Sequence, residues 1–68
     1  MDMDKFVMLK GSIGMREYVS IDEIKMQYDV TGKEAEEMIM KLAQAGLCET
    51  YPFDGVRYRT PKGLQNLK

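Results

Sequence analysis

The sequence predicts a small α+β fold in which three helices precede a two-stranded β-hairpin. A Ser/Thr-x-x-Glu spacing occurs at residues 20–23 and again at 31–34, and this spacing is typical of helix starts. An apolar stripe with a period near 3.6 residues follows the second spacing and indicates an amphipathic helix. Pro52 and Asp54-Gly55 then separate two segments rich in strand-forming residues. They predict a hairpin over about residues 47–60.

A first helix is predicted over about residues 4–14. Its apolar residues fall at i, i+3 and i+7, on one helical face: Phe6, Leu9 and Ile13. Asp2 or Asp4 can cap its start. Tyr18-Val19, in the connection that follows, has the composition of a very short strand.

The second and third helices are predicted over about residues 21–28 and 32–45. Asp29-Val30 turns the chain between them, with Val30 filling the angle, and so short a connection favours a helix-turn-helix. Gly46 is expected in the left-handed conformation just beyond the third helix. The core stripe of that helix comprises Ala35, Met38, Ile39, Leu42 and Ala45.

In the returning strand of the predicted hairpin, alternation places Arg57 and Arg59 on one face. Val56 and Tyr58 fall on the other face. In the simplest register Glu49, on the outgoing strand, faces the Tyr58 side, which leaves the two arginines without an acidic neighbour. The hairpin is therefore expected to be the most basic surface of the chain.

The length of 68 residues predicts one small domain, which we expect to span residues 1–68. Residues 1–54 contain eleven acids and six bases, a net charge of −5, whereas residues 55–68 contain four bases and no acid. No apolar run approaches the roughly 20 residues that cross a bilayer, and the acidic start lacks the positive region of a signal peptide. We therefore expect a cytoplasmic protein without membrane contact.

Enzymatic chemistry is not indicated. The chain has no histidine and one cysteine, which removes the common zinc sites and Ser-His-Asp catalysis. Glu34, Glu36 and Glu37 do not converge on one helical face, as metal ligands would. A thin core also leaves little room for a ligand pocket. We expect no cofactor, no metal and no small-molecule substrate, and we interpret Cys48 as a small buried hydrophobe.

Residues 4–64 resemble the winged helix-turn-helix superfamily of small transcription regulators. The resemblance covers about nine-tenths of the chain and is more specific for the fold than for one family. Relatives of the ferrous-iron-transport protein C type carry several wing cysteines, whereas this sequence has Cys48 alone, which argues against an iron-sensing role. The segments that carry the resemblance are Ser20–Ala45, Gly46-Leu47, the hairpin and Thr60-Pro61-Lys62-Gly63.

The resemblance implies that the third helix enters the major groove of duplex DNA while the wing contacts the backbone or the minor groove. Its implied contacts are phosphates for Thr31, phosphates or guanine for Lys33 and Lys41, cytosine for Glu37, and phosphate or adenine for Gln44. On the wing side, phosphates or the minor groove are implied for Arg57, Arg59 and Lys62.

Two functions remain open at this point. The first is a DNA-binding module, probed most directly at the wing. The second is a winged-helix protein-interaction module, favoured by the acidic third helix and by three apolar side chains expected at the surface: Met26, Met40 and Phe53. A homodimer is compatible with both, with contacts expected through Phe6, Val7, Leu9, Leu64 and Leu67.

Overall fold

A computed structural model describes residues 3–66 as a small α+β structure. Asp2 and Leu67, proposed above as a cap and a contact, lie outside the described residues. The elements in chain order are α1 (Met3–Ser12), a 3-10 turn (Ile13–Met15), β1 (Tyr18–Ser20), α2 (Ile21–Tyr28), α3 (Gly32–Gln44), β2 (Arg57–Arg59) and α4 (Pro61–Gln65). The described part of the chain thus has a fourth helix that the sequence analysis did not predict.

Side-chain caps fix the starts of α2 and α3. The Ser20 hydroxyl accepts the Glu23 amide proton at 3.2 Å, and the Thr31 hydroxyl accepts that of Glu34 at 3.1 Å. The reciprocal half of each capping box is not formed. The Glu23 carboxylate pairs instead with Arg16, and the Glu34 carboxylate accepts the Thr31 hydroxyl at 3.2 Å. In a complete capping box each glutamate carboxylate would accept the backbone amide of the capping residue. Here Glu23 accepts from a guanidinium instead, and Glu34 accepts from a hydroxyl.

The turn between α2 and α3 depends on two residues. Asp29 takes the left-handed conformation, with φ of 52°, and so ends α2. Val30 is half-buried and packs against the core, as predicted for the residue that fills the angle between the helices. Aspartate tolerates this backbone region better than most residues, because its short side chain can hydrogen-bond locally. The turn therefore depends on the backbone conformation of Asp29 and on the packing of Val30.

The C-terminal end of α3 is a Schellman motif. Gly46, at φ of 75°, donates its amide to the Ala43 carbonyl at 3.0 Å, and Leu47 donates to the Leu42 carbonyl at 2.8 Å. Glycine adopts this left-handed conformation without steric cost, as expected. Ala45 is exposed and does not belong to the buried stripe, because it is the capping residue beyond the last full turn.

The core lies between the three longer helices and the sheet. Large apolar side chains that are fully buried come from each of these elements and from the 3-10 turn: Leu9, Ile13, Val19, Ile24, Met38 and Leu42. Ala35 and Ile39 complete the predicted stripe of α3, and Phe6 packs at the edge of the core. Because Leu9 is completely buried, it is not available for the dimer contact proposed above.

The sheet differs from the predicted hairpin. β2 pairs antiparallel with β1, in the register Tyr18 with Arg59, Val19 with Tyr58 and Ser20 with Arg57. The strand expected near Tyr18-Val19 is therefore present. Residues 47–51 are not a strand. The two-stranded wing predicted over 47–60 is wrong in its pairing.

On the outer edge of β2, two carboxylates accept backbone amides that a neighbouring strand would otherwise bind. The carbonyls of Arg57 and Arg59 accept backbone amides, from Phe53 and Glu49, both at 3.0 Å. Their amides instead donate to side chains, Arg57 to Asp54 at 2.7 Å and Arg59 to Glu49 at 2.9 Å. Since acidic side chains satisfy these donors, the outgoing chain does not adopt regular strand pairing.

Four residues form a junction that connects the segment before β1 to the segment after β2: Arg16, Glu17, Thr60 and Gly63. The Thr60 amide donates to the Glu17 carbonyl at 3.0 Å, and its hydroxyl donates to the Arg16 carbonyl. The same hydroxyl accepts the Gly63 amide at 3.3 Å and caps α4. Thr60 is completely buried, and Gly63 is buried against the Glu17 backbone. The junction thus anchors α4 to the segment before β1.

Cys48 is buried, in line with its interpretation as a small hydrophobe, and its thiol donates to the Ile39 carbonyl with a sulfur–oxygen distance of 3.6 Å. Burial, with a smaller contribution from the negative charge of Glu49, raises the pKa of the thiol to about 11. The folded thiol is therefore protonated at pH 9, where the unfolded thiol is half-ionised.

We expect iodoacetamide at pH 8.5 to alkylate Cys48 at least about tenfold more slowly in the folded protein than in urea, because only the thiolate reacts.

The free energy of unfolding should also fall as the pH rises from 9 towards 11, since the unfolded thiol ionises first. Mass spectrometry measures the first effect, and comparison with Cys48→Ala isolates the second. Equal alkylation rates in the folded and unfolded chains would contradict the burial of Cys48.

Candidate nucleic-acid interface

The outward face of α3 is exposed and largely free of internal contacts. Within residues 3–66, no hydrogen bond or ion pair involves the side chains of four of the predicted contact residues: Lys33, Glu37, Lys41 and Gln44. Thr31 is also exposed, but its hydroxyl is used in capping. The structure thus places all five α3 candidates at the surface of one helix, where an external partner can reach them.

The charges on this face nearly cancel. Lys33 and Lys41 are accompanied by the exposed carboxylates of Glu36 and Glu37. Acidic residues in the first turns complement the positive end of the helix dipole and stabilise α3. The same carboxylates repel phosphates. The face therefore presents balanced charge and does not act as a cationic surface.

Arg57 and Arg59 project from the outer face of β2, opposite to the half-buried Tyr58. Both are ion-paired, which corrects the expectation that no acid neutralises them. Arg57 Nε lies 2.8 Å from Asp54 Oδ2, and Arg59 Nε lies 3.1 Å from Glu49 Oε1. Glu49 reaches Arg59 because the Glu49 amide donates to the Arg59 carbonyl at 3.0 Å, which places these two residues, and not Glu49 and Tyr58, opposite each other.

Two aromatic rings support the arginines. Tyr18 and Phe53 lie 5.5 Å apart between ring centroids. The Arg57 guanidinium lies 4.6 Å from the Tyr18 centroid, and that of Arg59 lies 4.6 Å from the Phe53 centroid. These distances are within the range of cation–π attraction. Phe53, whose role the sequence left open, therefore packs with the arginines at the sheet surface and stays partly exposed.

The pKa values of the two acids follow from these contacts. Hydrogen bonds from the amide and then the side chain of Arg57 lower the pKa of Asp54 to about 2. The side chain of Arg59, followed by its amide, lowers the pKa of Glu49. Both acids are therefore ionised at neutral pH, and an incoming phosphate must compete with them for the guanidinium groups.

Three residues of this arginine surface were not found from the sequence. Tyr18 becomes a neighbour of Arg57 only because β1 pairs with β2, which no local pattern indicates. Glu49 was assigned to the wrong face. Asp54 had a usable signal, since aspartate often accepts amides two and three residues ahead in a turn, as it does here at 3.0 and 2.7 Å. Lys62 is exposed on α4, outside the strand.

A groove runs between α3 and the chain after Cys48. It has a volume of about 390 Å³ and is open to solvent along one side. Side chains from three separate segments line this space, which lies outside the thin core expected from the sequence. The lining residues are Glu36, Ile39, Met40, Ala43, Gln44, Thr50, Tyr51 and Tyr58.

No family model, no curated protein and no solved structure matches the chain. Function must therefore be inferred from the surfaces described above.

Residues 3–66 contain neither a candidate metal cluster nor a candidate membrane span. No group of three or more His, Cys, Asp or Glu side chains there is arranged to hold a metal ion. No helix in the same range has the length and apolar character needed to span a membrane.

Proposed function

We propose that the chain is a winged-helix module that binds duplex DNA through the exposed face of α3 and the arginines of β2. The observation that carries this proposal is the order and packing of the elements. A capped helix pair joined by a tight turn is followed by a strand that pairs with β1. This order supports the proposal because, in helix-turn-helix proteins that bind DNA, the second helix of such a pair is the reader.

The loop over residues 47–56 then takes the place of the wing. It is attached to β2 through the Glu49 and Asp54 contacts and presents Arg57, whose side chain is 48% exposed. A phosphate and a carboxylate offer a guanidinium similar charge-assisted hydrogen bonds. Binding therefore exchanges one anionic partner for another, and the arginines serve as phosphate contacts after leaving Asp54 and Glu49.

The test is a salt titration of binding to a fluorescent random-sequence duplex, followed by anisotropy. Affinity should fall as salt rises, because counterions are released from the phosphates. Arg57→Ala with Arg59→Ala should weaken binding about tenfold or more for all sequences and reduce the salt slope. Lys10→Ala, which removes an exposed charge from α1, is the control. Binding by the double variant equal to that of the parent would refute the wing contact.

Asp54→Asn should increase duplex affinity several-fold. The asparagine oxygen can still accept the Val56 and Arg57 amides, so the turn is retained, while the negative charge beside Arg57 is removed. The Arg57 guanidinium then no longer has to be released from a carboxylate. The same anisotropy titration measures the change. A decrease in affinity would show that the ion pair positions Arg57 for DNA and does not compete with it.

A protein-interaction module is the second candidate, favoured by exposed apolar side chains. Met26 is 86% and Met40 57% exposed, as expected, and Val7 on α1 is 60% exposed. Methionine surfaces adapt readily to partners. If the chain is a protein-interaction module, it should not bind duplex DNA at moderate salt. It should instead form an assembly that light scattering detects, and Met40→Glu or Val7→Glu should disrupt that assembly. Duplex binding by a monomer would exclude it.

A further inference from the structure

The groove beside α3 has the composition of a ligand site. Its floor is formed by the buried Ile39 together with Ala43 and Tyr58, which are half-buried. Met40 and Tyr51 form its walls and are 57% and 80% exposed. A volume of about 390 Å³ falls within the range of small-molecule pockets, which combine apolar walls with a few polar groups.

One charged group lines this groove. Glu36 lies on α3 one turn before Met40, and its carboxylate makes no hydrogen bond or ion pair within residues 3–66. Most other acids of the described chain have a partner, among them Glu23, Glu49 and Asp54. An unpaired carboxylate at the edge of an apolar groove favours a cationic occupant.

The aromatic side chains add to this preference. Tyr51 and Tyr58 line the groove and belong to the chain after Cys48. Tyrosine rings attract cations through their faces and also contact apolar groups. The remaining polar groups, on Gln44 and Thr50, are neutral. An anion would find no positive side chain in the lining.

We propose that this groove binds a small organic cation with an aromatic or branched apolar body, with Glu36 as the counter-ion. The apolar body occupies the floor over Ile39 and Ala43, and the charged group lies towards Glu36 and the tyrosine rings. This proposal does not rest on the DNA-binding proposal. The groove shares Gln44 with the α3 face proposed to contact DNA, so an occupant of the groove would compete with DNA there, whereas the arginines of β2 lie outside the groove lining.

The experiment is an NMR titration of the whole chain with 3-hydroxyphenyltrimethylammonium and, separately, with 3-tert-butylphenol. The two probes have the same shape, but only the first is charged. We expect amide shifts centred on Ile39, Ala43 and Thr50, with a Kd on the order of 1 mM for the cation, as is usual for so small a ligand. The neutral probe should bind at least about fivefold more weakly.

Two neighbouring acids provide a matched pair of variants. Glu36→Gln should weaken cation binding at least about threefold and leave the phenol unaffected, because it removes only charge. Glu37→Gln removes an equal charge one residue further on, outside the groove, and should leave both affinities unchanged. Both positions are exposed, so folding is retained and is checked from the dispersion of the amide spectrum.

Three results would overturn the proposal. Equal binding of the charged and neutral probes would show that Glu36 does not act as a counter-ion. Equal effects of Glu36→Gln and Glu37→Gln would show that the cation responds only to the net charge of the protein. Shifts centred away from the groove would place the cation elsewhere.

Discussion

Gly63→Ala is expected to destabilise the protein by about 2 kcal/mol, within the usual range for overpacking a rigid site. A Cβ at Gly63 would overlap the Glu17 carbonyl oxygen and lie 3.1 Å from the carbonyl carbon. Both are backbone atoms, so the obstacle cannot rotate away as a side chain would. The higher helix propensity of alanine, worth up to about 1 kcal/mol, only partly offsets the clash. Urea denaturation followed by far-UV circular dichroism measures the change.

Gly11→Ala is the control for this prediction. Gly11 lies within α1, and a Cβ there would meet nothing within 4 Å. Alanine should therefore stabilise the helix by about 0.5–1 kcal/mol. If Gly63→Ala were as stable as Gly11→Ala, α4 could not approach the Glu17 backbone as closely as described.

Thr60→Val is the second change with a large expected effect, a loss of about 2 kcal/mol. Valine matches threonine in shape but lacks the hydroxyl that donates to the Arg16 carbonyl and accepts the Gly63 amide. Thr60 is completely buried, so these groups would lose their partner in a site that water does not reach. A buried polar group without a partner typically costs about 1–3 kcal/mol.

Thr60→Ser separates the hydroxyl from the packing. Serine keeps both hydrogen bonds and loses only a methyl group, for which we expect about 1 kcal/mol. The free energy of unfolding, measured by urea denaturation, should therefore rank the parent above serine and serine above valine. A valine variant more stable than the serine variant would show that the methyl group matters more than the hydroxyl.

The helix pair could be predicted from the sequence because its signals are local. A hydroxyl and a glutamate three residues apart define each start, at Ser20 and Thr31, and Gly46 defines an end. α4 also had a local signal, since Thr60 followed by proline is a common helix start. It was missed because no element was predicted beyond the hairpin, which was expected to end at about residue 60.

The pairing of β1 with β2 could not be predicted in the same way. Several partners satisfy the hydrogen bonds of a three-residue strand, and the choice depends on packing across the whole chain. Here Val19 is completely buried in the core, and on the other edge of β2 carboxylates accept the Arg57 and Arg59 amides. The candidate site could not be predicted for the same reason, since its ion pairs and its groove depend on where residues 47–56 lie.

The Thr60 junction also bears on how the chain folds. Its hydroxyl contacts the Arg16 carbonyl across 44 positions of sequence, whereas α2 and α3 are joined by a short turn and pack on each other. Closing a long loop costs entropy before its contacts form, so local helix pairs precede distant ones. During synthesis the helix pair is complete while Thr60 has yet to be added. Val19 therefore gains its strand partner, and the core its final wall, only after α2 and α3 have been synthesised.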